Sequence, residues 1–348
     1  MKKLSWFNRI VFGFNILITI LTVMAYALPF LAPKLFPFFS VFTLFLPFFL
    51  ILNGLFFCYW ALLLKKQILL SALVLLAGIT FINKFYKFSS TNLPETEKDF
   101  TVMSYNVRLF NLFKWLPDDA AGNIRSFINE QNPDILCIQE YSNGAGIDLK
   151  VYPHNYVMTQ GDHVKTGQAI YSKFPIVNKG KLELPNSDNN VVFADIRMGK
   201  DTVRLYSMHL QSVRITPDVD EINNDRIDNI DQKKRSIIFK RISEAFKRQQ
   251  QQAEIIADHK KQCHYPIIIC GDMNNSAFSY VYRHIKGNLN DCFEEAGSGF
   301  GQTYRFKYYP ARIDYIFADP KFRVLSFRNF PDFKNSDHYP VMTRLEMK

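Results

Sequence analysis

Six short stretches bring a residue able to do chemistry to the end or middle of an apolar run. Asn106 follows "TVMSY", Glu140 follows "DILCIQ" and His209 follows "RLYSM". Asp272 and Asn274 follow "IIICG", Asp314 sits inside "RIDYIF", and Asp337 and His338 precede "YPVM". Together they are carboxylates, amides and imidazoles at or beside strand-like segments, and strand tips on a rigid sheet are where such proteins build sites. Each has a plainer explanation. Gly, Asp and Asn are common turn residues, so "GDMN" could simply turn the chain, and Asn106 could cap a turn. His209 could be a core histidine with satisfied nitrogens. Glu140 resists that treatment, because carboxylates are rarely buried without a partner. The coincidence of all of them weighs against turns alone.

The chemistry that suits this set is metal-assisted attack of water on a phosphate ester. Mg²⁺ takes oxygen ligands, often one or two carboxylates together with substrate phosphate and water; Mn²⁺ and Ca²⁺ are the alternatives. Glu140 is the first choice of ligand, with Asn106 and Asp337 beside it. Asp272 could orient or deprotonate the water, and Asn274 could donate to the phosphorane. His338 could act as base or stabilise phosphate charge while Asp314 fixes its tautomer, and His209 would add a donor or acid. A Gly-rich phosphate loop of the NTPase kind is absent from the sequence.

The elements that must position these residues are legible in outline. Strand candidates are "FTVMSYNVRLFN", "DILCIQEYS", "QAIYSKFPIV", "VVFADIRM", "TVRLYSMHLQS", "PIIICGDMNNS", "RIDYIFAD" and "NSDHYPVMTRLEMK". Helical spacing recurs in "AGNIRSFINEQNPD" and from about residue 232 to 261, where the run "RQQQQAE" reads as a solvated helical face. Alternation of strand and helix predicts one α/β domain of roughly 250 residues, near the upper end for a single core. Cys137 and Cys270 lie in apolar strands, where small buried thiols usually sit. A Cys263–Cys292 disulfide stays open.

Charge separates this domain from what precedes it. Residues 1–89 carry eight basic side chains and no acidic one, which leaves 34 basic against 32 acidic in the remainder. The basic balance therefore belongs to the N-terminal third and gives no evidence of a nucleic-acid groove. That third contains uncharged runs of 24, 30 and 17 residues between Arg9, Lys34, Lys65, Lys66 and Lys84. A crossing needs roughly 17–25 apolar residues, so three spans are expected, the third near the minimum. Lys2, Lys3, Arg9, Lys65 and Lys66 against Lys34 alone put the N-terminus inside and the domain after Lys84 outside, in the periplasm of a Gram-negative host. The expected organisation is a membrane anchor at 1–88, a linker at 89–100 and a catalytic domain at 101–348.

In this order the motifs resemble those of the endonuclease/exonuclease/phosphatase superfamily, which includes deoxyribonuclease I, abasic-site endonucleases, neutral sphingomyelinases and inositol-polyphosphate 5-phosphatases. "SYNVR" looks like its opening motif, "PDILCIQE" its metal-glutamate motif, "SMHLQS" its central histidine motif, "CGDMNNS" its GDxN motif, "RIDYIF" its late aspartate motif and "SDHYPV" its terminal motif. The likeness runs from about Thr101 to Glu346. It implies an α+β fold, a four-layered α/β/β/α sandwich with the site at one sheet edge, and a divalent metal, usually Mg²⁺. His209 resembles the deoxyribonuclease I and sphingomyelinase branches. Three functions follow as expectations. The first is a tethered phosphodiesterase or phosphatase acting on lipid headgroups or small phosphoesters, with the bilayer as partner. The second is a tethered nuclease, which the acidic stretch 213–230 would disfavour if it lay near the site. The third is a non-catalytic membrane scaffold.

Overall fold

In this computed structural model the described residues are 4–145, 147, 149–161, 164–185, 187, 189–213, 232–307 and 309–348, without the side chains of 232–235. Apart from Val213, the acidic stretch lies outside the described residues.

The region after the N-terminal helices is built around two six-stranded sheets. One joins β1 (Asp99–Asn106), β2 (Ile135–Ser142), β3 (His154–Gln160), β4 (Thr166–Ser172), β11 (Phe322–Asn329) and β12 (Val341–Met347), in the order β11-β12-β1-β2-β4-β3. The other joins β5 (Ile176–Leu182), β6 (Val191–Met198), β7 (Asp201–His209), β8 (Ile267–Asp272), β9 (Asn290–Asp291) and β10 (Asp314–Ala318), in the order β5-β6-β7-β8-β10-β9. Val102, Cys137, Ile170, Val192, Leu205, Cys270 and Ile316 pack between the sheets. A helix, Ala120–Gln131, covers the outer face of the first sheet with Ile124 and Ile128. Two more, Gln232–Lys261 and Tyr280–Lys286, cover the second with Ala253, Ile256, Val281 and Ile285. The four-layered α/β/β/α sandwich expected from the motifs is thus the observed fold.

The two parallel pairs, β1 with β2 and β7 with β8, are each joined through a covering helix. Local chemistry sets the first crossover. Asp119 Oδ1 accepts from Gly122 N at 2.9 Å to cap the helix, and Asn132, at φ 43°, ends it in the left-handed region. Strands β3, β9 and β11 were not among the sequence candidates, and "QAIYSKFPIV" spans two strands, β4 and β5, divided around Lys173. All five cysteines are free thiols, with Cys292 buried and Cys263 partly exposed.

N-terminal to the sandwich lie α1 (Trp6–Ala27), α2 (Pro37–Val41), α3 (Leu46–Leu62), α4 (Ile68–Ala77) and α5 (Ile79–Phe85). Two stretches, Trp6–Phe30 and Pro37–Leu62, are long and apolar enough to cross a membrane. The third expected span is a pair, α4 and α5, bent by 69°. The bend falls at Gly78, where a Cβ would run into the Tyr26 phenol, whose hydroxyl donates to Val74 O at 3.0 Å. Polar side chains tie the helices together: Asn15 Nδ2 donates to Ser71 Oγ (3.0 Å), Trp60 Nε1 to Asn15 Oδ1 (3.0 Å) and Asn53 Nδ2 to Thr22 Oγ1 (2.8 Å). Small and polar groups at helix contacts are how apolar helices associate where hydrophobic burial gives no preference.

Gly271, at φ 130°, lets the end of β8 pass close to Met208, whose carbonyl oxygen a Cβ would strike. Gly271→Ala should therefore lower the melting temperature of the full chain by several degrees, in line with a strained position worth about 1–3 kcal/mol. A thermal melt followed by circular dichroism checks it; an unchanged midpoint would mean that the strand end gives way freely.

Candidate active site

Strand register alone assembles most of the site. His209 pairs with Asp272 across β7 and β8, and Asp272 pairs with Asp314 across β8 and β10, so three functional residues stand in a row at one sheet end. From the other sheet, Asn106 pairs with Gln139, which places Glu140 one step beyond it. At Glu140 the β2–β4 register shifts between Gln139 and Tyr141, and φ is 51°. Such a bulge re-aims a side chain at the cost of local strain, a cost often found at working positions. Asp337 and His338 arrive on the turn before β12, held by Ser336 Oγ, which donates to Asn106 O at 2.9 Å. The structure brings together all eight residues singled out from the sequence.

Asp272 is the hub. Its Oδ1 accepts from Asn274 N (2.7 Å), and its Oδ2 accepts from Asn106 Nδ2 and Asn274 Nδ2, both at 3.1 Å. His209 Nε2 and His338 Nε2 stand 3.6 and 3.7 Å from the same oxygen. Burial pushes the Asp272 pKa up to about 6, against the opposing pull of the two imidazoles. Burial also opposes charge on His338, but Asp314, Asp272 and Asp337 outweigh it and hold the imidazole well above its usual range. His338 Nδ1 is 2.9 Å from Asp314 Oδ2, so the proton on that nitrogen is fixed toward the carboxylate. His209 is driven the other way, since burial dominates and lowers its pKa; its buried Nε2 has no hydrogen-bond partner.

Glu140 sits deep among protein atoms yet leaves 31% of its side chain open to the cavity in front of it. Burial first, then repulsion from Asp337, raises its pKa, while the Asn106 amide donates to its Oε1 at 3.2 Å. A cation would relieve both penalties. Asp337 has Arg108 at 3.5 Å, and that guanidinium lies over the Trp115 ring at 4.5 Å. The donor set therefore suits a hard divalent ion: carboxylate oxygens face an open space, and Asp314 Oδ1 is buried without a partner. Among the described residues, the ligand atoms that lie within 4.8 Å of one another belong to Asp272, Asp314 and His338. Within that trio, Asp314 Oδ2 and His338 Nδ1 are joined by a hydrogen bond, while Asp314 Oδ1 keeps no partner.

Several supporting residues escaped the sequence. The glutamine run is not a solvated face: Gln249, Gln250 and Gln252 are buried. Gln249 Nε2 donates to Gln211 O (2.7 Å) and Asn274 O (3.1 Å), and its Oε1 accepts from Asn275 Nδ2 (2.7 Å). Gln252 Oε1 accepts from Gln211 N at 2.8 Å. The run thus clasps the segments that follow His209 and Asp272. Its signal was a break in helical periodicity, with polar residues where apolar ones were due. Thr303 Oγ1 accepts from Ile313 N and Asp314 N, both at 3.0 Å, and steadies the late aspartate. Beneath the site, Gln139 Nε2 donates to Ser207 Oγ (3.1 Å), which donates to Gln168 Oε1 (2.6 Å). This buried polar link joins the two sheets where an apolar contact would leave them free to slide.

A sandwich carrying carboxylates, amides and paired imidazoles at one edge defines a phosphoester-hydrolase class of fold. The model of the Endonuclease/Exonuclease/phosphatase family matches residues 103–338, well over half of the sequence, and the chain belongs to that family. A domain of unknown function (DUF8431) matches residues 8–85. Comparison with curated proteins finds no match. Among solved structures, humanized D. rerio TDP2 is 16% identical with a TM-score of 0.54, over 72% of this chain and 100% of that one. The human Nocturnin catalytic domain with bound sulfate is 16% identical with a TM-score of 0.54, over 76% and 98%. An endonuclease/exonuclease/phosphatase from Bacteroides vulgatus is 19% identical with a TM-score of 0.54, over 72% and 100%. At such identities the likeness is one of fold.

Removing the clasp should be felt at the site and in stability. Gln249→Leu leaves two carbonyls and the Asn275 amide without partners, at about 1–3 kcal/mol for each group left unsatisfied. A melting midpoint several degrees lower, with a reduced kcat, is expected; full stability with full turnover would mean that the clasp is dispensable.

Proposed function

We propose that the protein is a membrane-tethered, divalent-metal-dependent hydrolase of phosphoester bonds. The observation that carries this reading is the convergence on Asp272 of Asn106 and His338 from the edge of one sheet and of Asn274 and His209 from the edge of the other. Glu140 would hold the ion, with Asn106 and Asp337 alongside; Mg²⁺ is the natural candidate for such oxygen donors, and Mn²⁺ or Ca²⁺ could replace it. A bound divalent ion supplies polarisation of the phosphoryl oxygen and offsets charge on the leaving oxygen.

The chain's own groups divide the remaining work. Asp272, with its pKa near 6, orients the attacking water and takes its proton. His338, kept cationic by its acidic neighbours, presents Nε2–H to phosphate oxygen, while Asp314 fixes Nδ1–H and the ring orientation. His209, neutral, offers an unpartnered Nε2 toward the same space. Asn274 Nδ2 already donates to Leu210 O and Asp272 Oδ2, both at 3.1 Å, so we assign it to holding Asp272 rather than to the phosphate. Three crossings would put the ends of α1 and α5, the start of α3 and the whole sandwich on the outer face. The lysines and arginine flanking the helices favour that orientation, with the domain in the periplasm of a Gram-negative cell. We take residues 1–88 as the anchor, 89–100 as the linker and 101–348 as the hydrolase.

A nuclease is the second reading, favoured by the fold it shares with D. rerio TDP2, which has been solved with a single strand DNA product. The near balance of charge after residue 89 favours a smaller substrate.

The test uses the full chain in lipid nanodiscs with Mg²⁺, against p-nitrophenyl phosphodiesters, plasmid DNA and RNA. EDTA-sensitive ester hydrolysis is expected. Glu140→Gln should raise the Mg²⁺ concentration needed for half-maximal turnover by at least tenfold, and metal-binding calorimetry reads the same loss directly. Asp272→Asn and His338→Ala should each lower kcat by about 10²–10⁴-fold with the melting temperature maintained. Wild-type turnover in both would place the chemistry elsewhere.

A further inference from the structure

We propose that the substrate is a phosphoester lipid drawn from the surrounding bilayer, its hydrocarbon chain lying in an apolar cavity shared by the membrane segment and the sandwich. This rests on the hydrolase reading above and goes beyond it in naming the substrate class and the subsite.

One cavity of about 440 Å³ touches Glu140, Asp272 and His338 and is also walled by Phe45, Phe48 and Phe85 of the N-terminal segment. The rings of the two parts interlock around it. Phe85 stacks on Tyr309 with centroids 6.1 Å apart, Phe48 meets Tyr309 at 5.7 Å, and Phe85 meets Phe300 at 5.1 Å. Its size falls within the range of small-molecule sites, about 300–1,000 Å³. Such sites usually combine apolar walls with a few polar groups at one place, and here the polar groups are the hydrolytic ones.

Two features select a lipid. First, among the described residues, the arginine and lysine on the wall are engaged with other partners. Arg312 Nη1 is 2.7 Å from Asp291 Oδ2 and its Nη2 donates to Lys84 O at 3.2 Å, while Lys84 Nζ lies 4.7 Å from the Tyr282 ring centre. A strand of nucleic acid would bring several phosphates to a wall of phenyl rings, with poor compensation for their lost hydration. A hydrocarbon chain has no such penalty. Second, Phe45 and Phe48 line the cavity yet remain 47% and 45% exposed, and both lie within Pro37–Leu62, a stretch long and apolar enough to cross a membrane. They border both the cavity and the space that bilayer would fill, which opens a lateral route for a chain that never enters water.

In the reaction, the oxygen of water bonds to phosphorus and one ester P–O bond breaks. One proton of the water is taken by Asp272 and passes on to the departing alkoxide, which restores the carboxylate, and the other stays with the product phosphate. The chain in the cavity fixes which lipid reaches the reacting geometry and leaves the chemistry unchanged.

The experiment compares alkyl p-nitrophenyl phosphates with methyl, butyl, octyl and dodecyl chains, hydrolysed by the full chain in phosphatidylcholine nanodiscs with Mg²⁺. Two variants alter opposite walls: Ala311→Trp fills the cavity from the sandwich, and Phe48→Gln makes the membrane side polar. Partition of long chains into the disc is common to all three proteins, so the wild-type-to-variant comparison isolates the cavity. In wild type, kcat/KM should rise by up to about fourfold per methylene until the cavity is full. The dodecyl-to-methyl ratio should fall at least tenfold in both variants. An unaltered ratio in both, with the methyl ester still hydrolysed, would overturn the chain subsite and leave the hydrolase reading standing. Single-stranded DNA cleaved with a higher kcat/KM than the dodecyl ester would overturn the lipid and favour a nuclease. Failure to hydrolyse even the methyl ester would remove the hydrolase reading and the lipid with it.

Discussion

The site is organised by the need to keep one buried carboxylate in place. Asp272 accepts hydrogen bonds from its own loop and from the opposite sheet, and two imidazoles approach it within 4 Å. A lone carboxylate at 1% exposure would be expensive to ionise, so the surrounding amides and imidazoles are conditions of its charge as much as of its position. This explains why the sandwich must close accurately at this edge. Asn106 belongs to one sheet and Asp272 to the other, and their contact holds only if the sheets keep their relative register. The buried Gln139–Ser207–Gln168 link opposes sliding at the same level.

The second dependency joins the apolar N-terminal segment to this edge. Arg312, two residues before Asp314, is buried, ion-paired to Asp291 and bonded to the carbonyl of Lys84 near the end of α5. Tyr282 OH donates to the same Asp291 at 2.8 Å, so the arginine is held by a network instead of by one partner. On the other flank, Lys34 N donates to Gln250 Oε1 at 2.8 Å, linking the segment between α1 and α2 to the helix whose neighbouring glutamines clasp the catalytic loops. Without the N-terminal segment, Arg312 Nη2 would lose the Lys84 carbonyl as its acceptor, a costly loss for a buried charged donor. The N-terminal segment thus contributes walls and a hydrogen-bond acceptor within a few residues of the candidate site.

Much of this was legible in the sequence, for a physical reason. Site residues at strand ends interrupt strongly apolar runs, and an interruption by Asp, Asn or His stands out against Ile and Val. The same contrast gave β1, β2, β6, β7, β8, β10 and β12. Strands β3 and β11 lack it, since "HNYVMTQ" and "FRVLSFRN" are partly exposed and mix polar with apolar residues; β9 has only two residues. The pairing of two sheets face to face could not be read from alternation, which speaks of faces and not of partners. It came instead from the likeness of six ordered motifs. The glutamine run was misread because solubility scales treat Gln as a surface residue. Its value here lies in having both a donor and an acceptor to satisfy backbone groups that a buried loop leaves open.

Glu140 shows how these constraints meet at a single residue. The bulge that gives it φ 51° turns its carboxylate out of the sheet toward the cavity, while the neighbouring Gln139 continues inward to the link with Ser207. Without the extra residue, the alternation of β2 would send position 140 to the opposite face, among the apolar groups of the helix layer. Strain in the backbone is thus exchanged for a carboxylate at the boundary between a polar reaction centre and an apolar chamber. The strain persists because the structure on both sides fixes it: β4 pairs on either side of the bulge, and Asn106 holds the carboxylate end. A catalytic edge and a hydrophobic wall can share one cavity only if a few side chains belong to both. Glu140 is placed to be one of them.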